Sequence, residues 1–373
     1  MRTREVTWRL PYDWQGIPWE TEYMQISREH LRDRRLRTYR SFRNESTPLE
    51  PMPSTTSPTR RFFRFNRNLP QARCAFNHFQ LKKNVQMSSP STLHITTGDH
   101  TIEEFNVLTK QSRRVKHAPE LTIYSYHSCG GYLVCGGMEG ELHLDSLSGK
   151  ELLRTVLVTE GDSRMTNSCM LLWPESYLQV LASSNDKNIR FVDPKQPECA
   201  EKITMEACVN YSALSADARL VAAALDSTTV PLIDRNSCEV AIRLEGHVDY
   251  SFGVVWNPVN QFELASCNQD HTVRVWDIRM ARELHRVNGK IGAMLNLAYS
   301  PSGKYLVCSE SIDFLHVVDT RSYQHGQLID IFGEISGFAC TETSLYVGIA
   351  DRTYASLLEF VATDSADLED IRL

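Results

Sequence analysis

Short apolar runs of alternating character, broken by polar turns that return about every 40 residues, predict an all-β chain closed into a ring of seven four-stranded antiparallel sheets, a seven-bladed β-propeller. The best-formed copy is Glu245–Arg279, which opens on Gly246-His247 and closes on Trp276-Asp277. Two of its apolar runs, Phe252–Trp256 and Phe262–Ser266, flank the turn formers Asn257-Pro258. A third, Val273–Trp276, alternates apolar and polar residues after the polar turn Asn268–His271. Aligning the chain on the turn position of Asp270 gives six further positions: Asp99, Glu139, Asp186, Asp226, Ile312 and Asp351. The intervals are 40, 47, 40, 44, 42 and 39 residues, and seven units at that period define the ring.

The chain in order begins with a short helical and irregular extension, residues 1–43. Trp8, Trp14 and Trp19 are half of the six tryptophans and are expected to pack on the protein's own body, with a partner as the alternative. Residues 24–43 lack Gly and Pro and predict a basic helix. Its run Arg32–Arg37 suits a nuclear-import signal, a phosphate-binding face or a solvated surface. Residues 44–60 are rich in Ser, Thr and Pro and predict a flexible linker, in which Thr47-Pro48 and Ser57-Pro58 have the form of proline-directed phosphosites. The ring is placed at 61–360. An unfastened ring would leave an edge strand open to aggregation. The last unit has room for only three strands after Ile335, so the run Arg61–Asn66 is expected to supply its fourth. The acidic tail 361–373 is expected to be loose.

Composition bounds the function. Forty-two per cent apolar and 23% charged residues are ordinary for a globular chain. No 18-residue apolar run predicts a membrane span. The charged start lacks an apolar signal segment, and the ten cysteines include no C-x-x-C pair, so an intracellular protein, cytoplasmic or nuclear, is expected. Residues 1–70 hold 14 Lys and Arg against 8 Asp and Glu, whereas the remainder carries a net charge of −12. A basic arm therefore precedes an acidic body, which disfavours extended nucleic-acid contact there.

Signatures of catalysis are missing: no P-loop, no G-x-G-x-x-G after a strand, no G-x-S-x-G elbow and no H-E-x-x-H. Gly130-Gly131 and Gly136-Gly137 read as turns. Cys135 and Cys308 fall in the slot of Ser266 and read as core. His143 and His316 are expected to alternate outward on third strands without a second ligand at metal spacing. No catalytic residue, metal or cofactor is expected.

Glu245–Arg279 resembles a WD repeat, and the resemblance extends over Arg61–Phe360. It implies a hydrogen-bonded structural relay through His247, Ser266, Asp270 and Trp276, in place of the catalytic triad that the first three residues suggest. At the Trp276 place the other units carry Phe105, Leu144, Val192, Ile233, Val318 and Leu357, where apolar packing replaces the hydrogen bond. The pieces Gln15–Trp19, His78–Leu81, Gly246–Phe252, Ile331–Gly337 and Gly348–Tyr354 together resemble a family of plant and fungal WD-repeat proteins.

The resemblance implies a protein or peptide partner held on the face that carries the Asp270-type turns, with no small-molecule substrate and the chain a monomer inside a larger complex. Carried onto this sequence, the usual partner-contacting positions are Tyr250, Phe252 and Gln269, with Asn185, Asn210, Leu225, Met138 and Ser311 on other units. Asp313, Glu334 and Arg352 lie near the same turns. The rival reading packs Tyr250 and Phe252 beneath the basic arm. Asp270 with Trp276, Asp277 and Arg279 also resembles the W-D-x-R box of substrate receptors of cullin-type ubiquitin ligases, although Cys267 and Asn268 depart from the small residues that box prefers.

Overall fold

The computed structural model describes Gln15, Ile17 and residues 27–45, 53–98, 100–148, 152–159, 161–173, 177–196, 200–351 and 355–363. Sheet-forming chain dominates, arranged as a seven-bladed propeller. Blade 1 runs from the strand Val85–Ser89 to Gln111–His117, and blade 2 from Ile123–Cys129 to Leu152–Leu157. Blade 3 runs from Thr166–Leu172 to Glu201–Thr204, blade 4 from Val209–Leu214 to Val240–Leu244, and blade 5 from Ser251–Trp256 to Arg282–Asn288. Each of these five is a four-stranded antiparallel sheet in simple sequence order.

Blades 6 and 7 are joined by one long strand, His325–Cys340. Its first part pairs with Ile312–Asp319 as the outer strand of blade 6. Its second part pairs with Ser344–Ala350 as the inner strand of blade 7. The turns aligned at Glu139, Asp186, Asp226, Asp270 and Asp351 each fall between a second and a third strand. Ile312 opens a third strand, one residue past that turn, and Asp99 lies outside the described residues.

The ring is fastened by Phe63–Leu69, two residues further on than the sequence suggests. This strand pairs antiparallel with Ala355–Ala362, from Phe63 opposite Ala362 to Leu69 opposite Leu357, as the fourth strand of blade 7. Phe63 is 1% exposed and packs edge to face on Tyr305 of blade 6. Phe63→Ala is expected to cost about 3–5 kcal/mol, read by chemical denaturation, because the site cannot collapse around the lost ring. An unchanged denaturation midpoint would separate the closing strand from the stability of the ring.

Seven of the apolar clusters among the described residues lie one between each adjacent pair of blades. The residues at the Trp276 place sit in these interfaces; Phe105, Ile233, Val318 and Leu357 are 0% exposed. Cys135 and Cys308 are equally buried, and burial pushes both thiols well above their ordinary range. They are core side chains rather than nucleophiles. His143 and His316, expected to face outward, are buried instead. A strand covered on both faces by neighbouring blades has no solvent side for its alternation to report.

Two expectations for the extension change. The helix, α1, is Arg28–Thr38, shorter than predicted. Ser27 caps it by accepting from the His30 N–H at 3.2 Å, Glu29 lies in its first turn, and Arg35 and Arg37 lie in its last, as the helix dipole favours. The second half of the expected linker is fastened. Ser57 and Pro58 pair parallel with His325 and Gly326, and the Thr55 N–H donates to the Arg286 carbonyl at 3.0 Å. Trp8, Trp14, Trp19, Thr47 and residues 364–373 lie outside the described residues.

Candidate protein-binding face

The turns between second and third strands and the loops leading into first strands lie on one face of the ring. Blade 5 fixes its own part of that face through a chain of hydrogen bonds. Asp270 Oδ2 lies 2.8 Å from His247 Nδ1, and His247 Nε2 lies 2.8 Å from Ser266 Oγ. Trp276 Nε1–H donates to the same Ser266 Oγ at 2.8 Å. Asp270 also accepts from the Val248 N–H and from the Thr272 hydroxyl. Burial pushes the Asp270 carboxyl up, but His247, Thr272 and Arg274 outweigh it and hold the group well below the usual carboxylate range. Gly246 is needed at the entry to this loop. Its φ is +145°, and a Cβ there would stand 2.5 Å from the Arg274 guanidinium. With Ser266 and Trp276 0% exposed and each polar atom engaged, the constellation holds strands together and offers no open nucleophile.

Blade 6 solves the same problem with different residues. The Glu310 carboxylate, 0% exposed, accepts from the N–H groups of Lys290, Ile291 and Gly292 at 2.7, 2.9 and 2.7 Å, and pairs with His316 Nε2 at 2.9 Å. It binds the entering loop directly, without an imidazole. Sequence reasoning missed this because backbone donors leave no trace in residue type.

Several residues expected on the partner-contacting face are consumed inside it. Phe252 (3% exposed), Gln269 (2%), Asn210 (7%) and Asp313 (0%) are buried, as is Leu225. Asn210 staples two blades: its Nδ2 donates to the Ser251 carbonyl at 2.9 Å and to Asp226 at 2.8 Å. Asn167 repeats the staple one blade earlier, donating to the Val209 carbonyl at 2.9 Å. Gln269 is covered by the arm, donating to the Phe42 carbonyl at 2.5 Å and to Ser41 Oγ at 3.0 Å. Asn185 and Tyr250 are half-buried, and Met138 is 52% exposed. Ser311 is nearly covered, at 9%, with its hydroxyl 3.2 Å from that of Tyr39. Glu334 is spent on Lys82 at 2.8 Å. Arg352 lies outside the described residues.

The arm covers Gln269, Asp313 and Ser311, whereas Phe252, Leu225 and Asn210 are covered by neighbouring blades. Residues three and four apart share a face of a helix, so Arg28, Arg32 and Arg35 form one basic stripe on α1. That stripe faces the ring. The Arg32 guanidinium lies 4.5 Å from the centroid of the Phe314 ring and 4.1 Å from that of Phe332. Its ends bond to Asp313 and Asp330, and it donates to the Ile331 carbonyl at 2.6 Å. Arg35 also bonds to Asp313, which accepts in addition from the Gly333 N–H at 2.9 Å. Arg28 donates to the Asp330 carbonyl at 3.0 Å and to Gln15 Oε1 at 2.9 Å. Gln15 in turn exchanges two hydrogen bonds with the Phe332 backbone. Beyond α1 the arm crosses blades 6 and 5, where Asn44 donates to Asp249. The basic run seen in the sequence is therefore a clamp on the body's acidic turns.

What the arm leaves open is aromatic. Phe42 of the arm, 57% exposed, meets Phe79, 55% exposed, edge to face at 6.1 Å between centroids. Phe79 continues into His78 at 4.9 Å, and His78 into Tyr124 of blade 2 at 5.7 Å. The His78 Nδ1 accepts from the Gln80 and Leu81 N–H groups, and burial lowers the ring to about 4, so it is neutral near pH 7. This ridge was not among the expected contacts, although His78 and Phe79 belong to one of the motif pieces.

The opposite face carries the W-D-x-R residues. Arg279 keeps 60% of its side chain exposed while paired to Asp277 at 2.8 Å and stacked on Phe262 at 4.8 Å. Blade 6 repeats the pair with Arg321 and Asp319 at 2.7 Å, Arg321 being 71% exposed. Among the described residues no group of three or more His, Cys, Asp or Glu is placed to hold a metal, and no helix is long and apolar enough to cross a membrane.

Comparison with known proteins agrees with this architecture. Residues 238–277 match the family described as WD domain, G-beta repeat. The matched segment takes in the outer strand of blade 4 and three strands of blade 5, the one-strand offset that makes a borrowed strand necessary at the ring's closure. An uncharacterized protein of Schizosaccharomyces pombe is 24% identical over 318 residues, 76% of this chain and 88% of the relative. GID complex subunit 7 of the same organism is 22% identical over 203 residues, and that match spans 54% of this chain but only 40% of the relative. A chain of a solved structure titled Crystal Structure of Mitotic Checkpoint Complex shares the fold, with a TM-score of 0.68 at 16% identity, over 86% of this chain and 99% of that one.

Proposed function

We propose that this WD-repeat β-propeller is a non-catalytic scaffold that holds a protein or peptide on the face carrying the Phe42–Phe79 ridge. The carrying observation is the ridge itself: two phenylalanines from separate segments meet edge to face while each residue is more than half exposed. Exposed aromatics of limited flexibility anchor interfaces out of proportion to their number. Half-buried His78 and Tyr124 extend the apolar strip, and Met138 lies on the neighbouring blade-2 turn. Two similar chains are named as subunits of assemblies, the GID complex and, in Arabidopsis thaliana, the THO complex, which supports a place within a larger complex.

The test is affinity purification with mass spectrometry on wild type and on Phe42→Ala/Phe79→Ala. Both rings are exposed, so the double variant is expected to fold normally and to lose at least one partner. An unchanged partner set in a folded double variant would refute the ridge as the binding surface. A second reading, a substrate receptor of a cullin-type ligase, draws support from the exposed Arg279 and Arg321 on adjacent blades. For that reading Arg279→Ala is expected to remove a ligase adaptor while leaving ridge-dependent partners in place.

A further inference from the structure

The inner strands of blades 1 to 6, with the segment 81–83 that leads into blade 1, line a cavity of about 50 Å³ at the hub of the ring. Two lysines and no carboxylate line it. Lys82 is engaged, with its Nζ 2.8 Å from Glu334 Oε2. Lys83 is not. Its Nζ stands 3.1 Å from the centroid of the Tyr211 ring and makes no hydrogen bond among the described residues. Lys83 is half-buried, and a cation partly withdrawn from water is normally paired with an anion or spent on several acceptors, for which an aromatic face is only a partial replacement.

Three other polar groups of the cavity can donate, and one, the Asn167 Oδ1, is an acceptor without a partner among the described residues. His127 Nδ1 accepts from the Leu171 N–H at 3.2 Å, so the proton of the neutral ring resides on Nε2, which has no partner among the described residues. The hydroxyls of Ser168 and Tyr211, both lining the cavity, are likewise without a protein partner among the described residues. A cation and three groups able to donate meet with no acid among them, and the one unpartnered acceptor, Asn167 Oδ1, is neutral. Burial without a neighbouring carboxylate lowers the Lys83 ammonium to about 8, as expected of a charge that lacks its counter-ion.

We propose that the hub cavity is a carboxylate-binding site, in which the Lys83 ammonium takes the charge while His127 Nε2–H and the Ser168 and Tyr211 hydroxyls supply neutral donors. The cavity holds a carboxylate with a short carbon stem and excludes a nucleotide or a sugar phosphate. The same chemistry is offered by a small free acid and by an acidic side chain of a bound polypeptide. The inference does not depend on the aromatic ridge.

The test uses the whole chain and three probes: acetate, succinate and the blocked peptide acetyl-Gly-Glu-Gly-amide, with chloride at equal ionic strength as control. In wild type, at least one carboxylate is expected to raise Tm saturably and to slow modification of Lys83 by fluorodinitrobenzene, read by mass spectrometry. Lys83→Met is expected to weaken the Tm response by about tenfold or more, the loss of one charge-assisted hydrogen bond. Response to acetate or succinate assigns a free acid, and response to the peptide alone assigns an acidic side chain. The labelling arm needs no variant. If no carboxylate protects Lys83 better than chloride, or if Lys83→Met responds as wild type does, the site is disproved.

Discussion

Asp313→Ala is expected to release α1 from the ring and to lower stability by about 3–5 kcal/mol, the range for stranding one partner of a buried ion pair. Asp313 is 0% exposed and serves Arg32, Arg35 and the Gly333 N–H at once. Without it the Arg32 guanidinium loses half of its charge compensation between Phe314 and Phe332, which favours its departure with α1. The backbone adds to the effect, since φ at Asp313 is +68°, a left-handed turn that Asp and Asn tolerate better than Ala. Asp313→Asn keeps the turn and removes the charge, so it is expected to free the arm at a smaller cost to the ring. Amide hydrogen exchange over residues 28–38 measures release, and equilibrium unfolding measures stability. Arm amides that stay protected in both variants would show that α1 is held by something other than this ion cluster.

Trp276→Ala is expected to cost about 3–5 kcal/mol, a fall in Tm on the order of several degrees for a chain of this size. Trp276 is the largest fully buried side chain among the described residues, and its removal both opens a cavity in the blade 4–5 interface and strips Ser266 of its donor. Asp270→Asn probes the same chain of bonds through pH. The folded value of Asp270 lies below its unfolded value of about 3.9. Its contribution is therefore complete above that unfolded value and is lost as pH falls toward the depressed folded value. The deficit of Asp270→Asn against wild type is expected to be largest near neutrality and to shrink below about pH 4. A deficit that stayed constant down to pH 3 would mean that the carboxylate charge is not what the loop relies on.

The ring, its period and its borrowed strand were legible because they follow from local patterns. Alternation marks the strands, polar turns mark the spacing, and Phe63–Leu69 stands out as a strand with no other place to go. The face was less legible. Whether a polar turn residue meets water or another segment depends on pieces of chain far away in sequence. Gln269 has the composition of a contact residue and is covered by Ser41 and Phe42, 228 and 227 positions earlier. Asn210, expected as a contact residue, donates across a blade boundary instead, and Asn167 does the same one blade earlier. The arginine run looked like a solvated or targeting segment because its partners, Asp313 and Asp330, are contributed by blade 6. Buried histidines on doubly covered strands carry no outward phase to read.

The borrowed strand also sets a clock on biosynthesis. Asn66 donates to Glu359, 293 positions later, so the partner of Phe63–Leu69 leaves the ribosome on the order of 15–60 s after the strand itself, at translation rates of about 5–20 residues per second. For most of that interval Phe63, which ends with 1% of its surface in water against blades 6 and 7, lacks its native neighbours. Blades 1 to 5 can each form their own four strands as they emerge, whereas the seam must wait for the final sheet. A nascent chain of this kind depends on something else, a chaperone or a transient non-native cover, to shield its first strand until the circle shuts.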